Sequence, residues 1–158
     1  MDVCSEDDVH VARTRLNHLS YCFTPKHHGA GSASDSCWLL ELPRPEEFQV
    51  FDMADFHQLT DNRGNLYGLR IKEAGGKRQL LELGTKHERI ARFWAEEREY
   101  AHWHGHPLWP IDEDQPSNRA RQSHRPPKEV FDRLIEEALL SRPKARRLRN
   151  GSHVGNLD

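Results

Sequence analysis

Apolar residues recur every three or four positions from Val130 to Leu139: Val130, Phe131, Leu134, Ile135, Ala138 and Leu139 form one broad stripe. A stripe of that period marks a helix with one side in a core. Pro126 and Pro127 suit its start, because proline's fixed φ and missing N–H cost nothing in a first helical turn. The pattern predicts that Phe131, Leu134 and Ile135 are buried. Ser141 then offers an N-cap to a short basic helix (KARRLR) that begins at Pro143 and ends at Asn150-Gly151. Two more helices are expected upstream. Ser5 and Asp8 approximate a capping box ahead of Val9, Ala12, Leu16 and Leu19. Thr85 with Glu88 makes a better one ahead of Ile90, Phe93, Trp94 and Ala101.

Between those two helices the period falls to two. Tyr67, Leu69 and Ile71 alternate with Gly68, Arg70 and Lys72, as in a strand with one buried and one wet face. NLYGLRIKE and KRQLLELG flank Ala74-Gly75-Gly76, a hairpin signal, and Asp61–Asn65 is a turn before them. CWLLEL, from Cys37 to Leu42, adds a strand closed by Pro43. Residues 46–59 fit either period: Phe48, Val50 and Asp52 alternate, yet Phe48, Phe51 and Asp55 share a helix side. The expected fold is α+β: a small antiparallel sheet of about three to four strands packed with three to four helices.

The 158 residues suit a single domain, and a hydrophobic content of 35% implies a lean core. No apolar run approaches the roughly 18–20 residues of a membrane span, and the start MDVCSEDD lacks a signal-peptide pattern. A cytoplasmic setting without membrane contact is expected. The three cysteines, Cys4, Cys22 and Cys37, are odd in number and form no CxxC, so neither a disulfide framework nor a cysteine zinc site is expected.

Net charge is only −2, but it is split: residues 1–116 carry −7 and residues 117–158 carry +5. From Asp112 to Glu129 there is no Leu, Ile, Val or Phe, and three prolines interrupt the run. Such a stretch cannot offset the entropy of ordering by burial. The chain is therefore expected to divide into an acidic core region (1–111), an exposed Pro-rich arm (112–126), a helical segment packing on the core (127–150) and a disordered tail (151–158). Thr24–Ser36, rich in Gly, Ser and Ala, is expected to be a flexible loop.

Candidate chemistry concentrates in residues 93–111, which hold three of the four tryptophans together with Tyr100, His102, His104 and His106. In an extended strand the three histidines project from one face. Three imidazoles and an open position are the catalytic-zinc pattern, so a divalent metal and a hydrolase form one alternative, with Asp112 or Glu113 as added carboxylates. No HExxH or HxHxDH accompanies them, and no cofactor is the leading expectation. Trp103, Tyr100 and Trp109 are instead candidate partner-binding residues, because Trp and Tyr dominate binding hot spots. Trp103 is expected to be the exposed one, opposite the histidines.

Basic residues form a second candidate surface: Arg70, Lys72 and Arg78 on the hairpin, and Arg146, Arg147 and Arg149 in the C-terminal segment. Such side chains track phosphates. LTDNRGNLYGLRIKEAGGKRQLLEL, from Leu59 to Leu83, resembles the central hairpin of RelE/HigB-type ribonuclease toxins. Gly68 stands where that family carries an acidic residue, and the lysine-rich segment that usually follows is missing. The resemblance implies nucleic-acid action. Because no catalytic set is complete, the leading expectation is a non-enzymatic interaction or regulatory module. A protein partner is expected first, and nucleic acid through the basic segment second.

Overall fold

The computed structural model describes residues 4, 6–11, 19–23, 28, 37–85, 87–95, 102–109, 125–152 and 154–158. A 3-10 turn, Glu6–Asp8, leads into β1 (Val9–Val11) and β2 (Ser20–Cys22). There follow α1 (Arg44–Phe56), β3 (Leu66–Ala74), β4 (Lys77–Leu81), β5 (Ile90–Ala95), β6 (Trp103–Trp109), α2 (Lys128–Glu136) and α3 (Arg142–Arg149). The six strands form one mixed sheet in the order β1-β2-β6-β5-β3-β4. The expectation of a three- to four-stranded antiparallel sheet is overturned; α+β holds. Neighbours are antiparallel except β2 and β6, which run parallel with Tyr21 opposite Trp103.

The larger sheet follows from the segment expected to be a helix after Thr85. Leu83 and Gly84 both donate backbone N–H groups to the Glu88 carbonyl, and His87 turns at φ 65, so Thr85–Glu88 is a reversal rather than a cap. Ile90–Ala95 continues as a strand. Ile90 packs on one face while Ala91 and Phe93 pack on the other. A strand buried on both sides loses its polar alternation, which is why it imitates helical spacing. Val9–Val11 is likewise a strand, and Leu16 lies outside the described residues. In the Cys37–Leu42 stretch only Trp38 pairs, in a bridge to Gly84, and Leu40–Glu41 is a turn.

Residues 46–59 resolve as helix. Pro45 lies in the first turn of α1 and Glu46 and Glu47 complement its dipole there. α1 covers one sheet face, where Val50, Phe51 and Ala54 meet Tyr21, Leu66, Ala91 and Phe93. The contact is close at Gly68, where a Cβ would lie 2.4 Å from the Val50 carbonyl oxygen. The opposite face is covered by α2 and α3. Val130, Phe131, Leu134, Ala145 and Leu148 pack there on Tyr67, Leu69, Leu80, Ile90 and Leu108. Phe131 and Leu134 are buried as expected and Ile135 half-buried. α2 stops at Glu136, and Ala138 adopts φ 57 in the turn to Ser141, whose Oγ accepts the Lys144 N–H.

Residues 154–158 do not trail free. Gly155 accepts the Leu80 N–H at 2.7 Å, Leu157 donates to the Arg78 carbonyl at 3.0 Å, and Val154 and Leu157 are buried. This strip covers the outer edge of β4, an edge that would otherwise offer unpaired backbone groups. A disulfide joins Cys4 to Cys22 across a Cα separation of 6.0 Å, correcting the expectation that the odd cysteine count precludes one. Cys37 is the buried free thiol. Of the 112–126 arm only Arg125 and Pro126 are described. No described helix is long and apolar enough to cross a membrane.

Candidate functional site

β6 is extended, so His104 and His106 share the face opposite Trp103 and Gly105. Both imidazoles flank Trp94 of β5, with ring centroids 6.4 and 5.1 Å away. His106 Nδ1 donates to the Pro107 carbonyl at 2.7 Å, and His102 Nδ1 bonds the Ser20 hydroxyl of β2 at 2.7 Å. His102 is thus drawn toward β2, away from the Trp94 ring that His104 and His106 share. Among the described residues no three His, Cys, Asp or Glu side chains group as metal ligands.

Trp103 departs from the expectation of exposure. It is half-buried on the α1 face, its ring 6.1 Å from Phe51. Tyr100 and the side chain of Trp109 lie outside the described residues; Trp109 closes β6 opposite Ile90.

The basic residues of the hairpin are committed to the fold. Arg70 bonds the Glu46 carboxylate and the Glu82 carbonyl, each at 2.9 Å. Lys72 reaches the other Glu46 oxygen at 2.5 Å. The hydrogen bond from Lys72, with help from Arg70, holds the Glu46 carboxyl below its ordinary range despite partial burial. Arg78 bonds Asp158 through both backbone and side chain and also donates to the Ala138 carbonyl. The Arg78 backbone N–H is the main reason the Asp158 carboxyl is held low.

α3 differs. Ala145 and Leu148 anchor it in the core, while Arg142, Arg146 and Arg147 are exposed and Arg149 half-buried. Lys144, on a flank, donates to the Asp158 carbonyl at 3.0 Å. Arg142 and Arg146 are one turn apart on the same side, so their guanidinium groups neighbour each other. Of the basic candidates, then, Arg146 and Arg147 of α3 are presented outward, Arg149 is half-buried, and the three of the hairpin are tied to carboxylates.

A buried polar cluster escaped the sequence reading. Glu47 of α1 accepts the Tyr21 hydroxyl at 2.6 Å and lies 2.5 Å from His28 Nε2. Burial, and next the Glu47 charge, push the Tyr21 hydroxyl well above its ordinary pKa. His28 sits against Phe23 and Trp38. Nearby, His10 reaches both oxygens of Asp52 and stacks on Phe48. A carboxylate orienting an imidazole is half of a general-base arrangement. Here aromatic rings surround the pair, and its effect is to tie Tyr21 of β2 and His28 to α1. One signal was available: Glu47, Val50, Phe51 and Ala54 follow the i, i+3, i+4, i+7 spacing of a single helix face, which puts Glu47 inside.

Compared with protein-family models, with curated proteins and with solved structures, the chain matches none closely enough to indicate a relative.

Proposed function

We propose that the protein is a non-catalytic interaction module that engages an acidic partner protein through the outward arginines of α3. The observation that carries this reading is the contrast between two sets of cations. Arg70, Lys72 and Arg78 are each bonded to a carboxylate, Glu46 or Asp158, whereas Arg142, Arg146 and Arg147 stand exposed on a helix fixed by Ala145 and Leu148. Guanidinium groups bind carboxylates bidentately, and holding them on a rigid helix lowers the entropic cost of doing so. Exposed charge of one sign also steers a partner of the other.

An acidic protein fits better than a nucleic acid. α3, eight residues at 1.5 Å each, spans only about 12 Å along its axis and presents too few cations for roughly 6–10 phosphate contacts.

The test is titration of a fluorescent polyglutamate peptide and a mixed-sequence single-stranded RNA at two salt concentrations. The protein should bind the peptide. A double variant, Arg146→Glu with Arg147→Glu, should bind at least tenfold more weakly while unfolding at the wild-type temperature. Tighter RNA binding with a steep salt dependence would instead favour the nucleic-acid reading. Absence of peptide binding would overturn the proposal.

A further inference from the structure

α2 and α3 pack against each other on one sheet face, and their outward sides carry opposite charge. In α2, Val130, Phe131 and Leu134 point inward. Helical geometry then turns Glu129, Asp132 and Glu136 away from the sheet, and all three are exposed. In α3, Ala145 and Leu148 point inward. Arg146 and Arg147 are turned outward by the same geometry, and Arg142 is exposed on the flank. The surface of this helix pair is therefore an acidic stripe beside a basic one.

The two stripes do not satisfy each other within one chain. Among the described residues no ion pair joins α2 to α3, and Glu129, Arg142, Arg146 and Arg147 take part in none. The acids of α2 have loose partners on their own helix: Lys128 reaches Asp132 at 3.8 Å and Arg133 reaches Glu136 at 3.2 Å. Arg133 is held more closely elsewhere, by Glu137 at 2.7 Å and by the His57 carbonyl. Exposed pairs along one helix contribute little, so they offer weak competition to a partner that brings new cations.

We propose that the acidic partner engaged by α3 is a second copy of this chain, docked about a two-fold axis so that α3 of each copy lies against α2 of the other. The inference rests on the reading of α3 given above and names its partner. A patch with both signs on neighbouring helices is self-complementary under a two-fold rotation, and every pairing then occurs twice. Like charges would meet if α3 faced α3, which fixes the orientation. Because the facing residues are charged rather than apolar, the association is weak and salt-sensitive, of the transient class.

The test is sedimentation equilibrium of the full chain. Wild type should pass from monomer to dimer as its concentration rises, and the dimer should weaken at least tenfold between about 50 and 500 mM salt. Arg146→Glu with Arg147→Glu, and separately Glu129→Lys with Glu136→Lys, should each weaken it at least tenfold. Mixed together, the two double variants should associate as the wild type does. The acidic α3 of one then meets the basic α2 of the other, and the second contact keeps its native charges. A folding defect cannot produce that restoration. A polyglutamate peptide separates this inference from the reading beneath it, since Glu129→Lys with Glu136→Lys should still bind the peptide. Wild type that stays monomeric while binding polyglutamate would overturn the second copy as partner and leave the role of α3 standing; monomeric protein that ignores the peptide would overturn both. Dimers indifferent to either double variant, or no restoration in the mixture, would also overturn the proposal.

Discussion

Glu47 of α1 and Tyr21 of β2 share a 2.6 Å hydrogen bond between two residues that are each 1% exposed. Removing one partner strands the other away from water. Tyr21→Phe should therefore cost about 2 kcal/mol, the penalty of an unsatisfied buried acceptor. Urea unfolding measures it. A loss under about 0.5 kcal/mol would show that His28 alone satisfies Glu47.

Gly68 of β3 lies so close to α1 that a Cβ would meet the Val50 oxygen at 2.4 Å and its Cγ1 at 2.7 Å. Gly68→Ala should cost roughly 2–3 kcal/mol through overpacking. Because the nearest atom is backbone, adding Val50→Ala should not restore stability. Full rescue by Val50→Ala in thermal unfolding would place the clash on the side chain instead.

Truncation after Ser152 removes Val154 and Leu157, each 3% exposed. At ~1.5–3 kcal/mol per buried aliphatic side chain, the loss should be at least about 3 kcal/mol. The bare edge of β4 should also promote association, visible by light scattering. A truncated chain as stable and monodisperse as the full one would contradict this packing.

Asp61 gives a pH dependence of definite sign. Partial burial pushes its carboxyl up, but hydrogen bonds from the Asn65 amide, the Tyr67 hydroxyl and the Arg63 and Asn65 backbone N–H groups outweigh it and leave the pKa lowered. A folded pKa below the unfolded ~3.9 contributes stability that is complete above that value and lost as pH falls through the folded one. The advantage of wild type over Asp61→Asn should thus shrink as unfolding is measured from about pH 5 down to about pH 2.5. Asp55 is the opposite case, raised chiefly by burial. Its ionisation opposes folding, so wild type should lose ground to Asp55→Asn as pH rises through the acid range. Parallel curves for the two variants would refute the assignment.

What could be foreseen from the chain divides by range. The β3–β4 hairpin, α2 and the Ser141 cap rest on signals within a few residues: Gly75 and Gly76 at positive φ, a stripe of period 3.6, a hydroxyl three residues from its donor. β5 was concealed because α1 covers one of its faces and α2 and α3 the other, erasing polar alternation. Trp103 does point opposite His104 and His106, but nothing nearby in sequence indicates that Phe51 packs against it there. The arginines of α3 were visible as charge. Their contrast with Arg70, Lys72 and Arg78 was not, since Glu46 and Asp158 lie 24 and 80 residues from the arginines they neutralise. The Glu47 cluster was hidden for the same reason, with partners 26 and 19 residues away.

Among the described residues, β2 joins β6 through one partner pair, Tyr21 with Trp103, and the Ser20–His102 hydrogen bond, while α1 holds β2, β1 and the turn before them through Glu47–Tyr21, Asp52–His10 and Arg44–Asp8. The bond from Cys4 to Cys22 fastens the chain ahead of β1 to the end of β2. The β1–β2 ribbon is thereby coupled to α1 as well as to the strand beside it. Partial opening of the molecule should release ribbon and helix together, and their amide hydrogens should exchange with solvent at a common rate, ahead of those in β3 and β5.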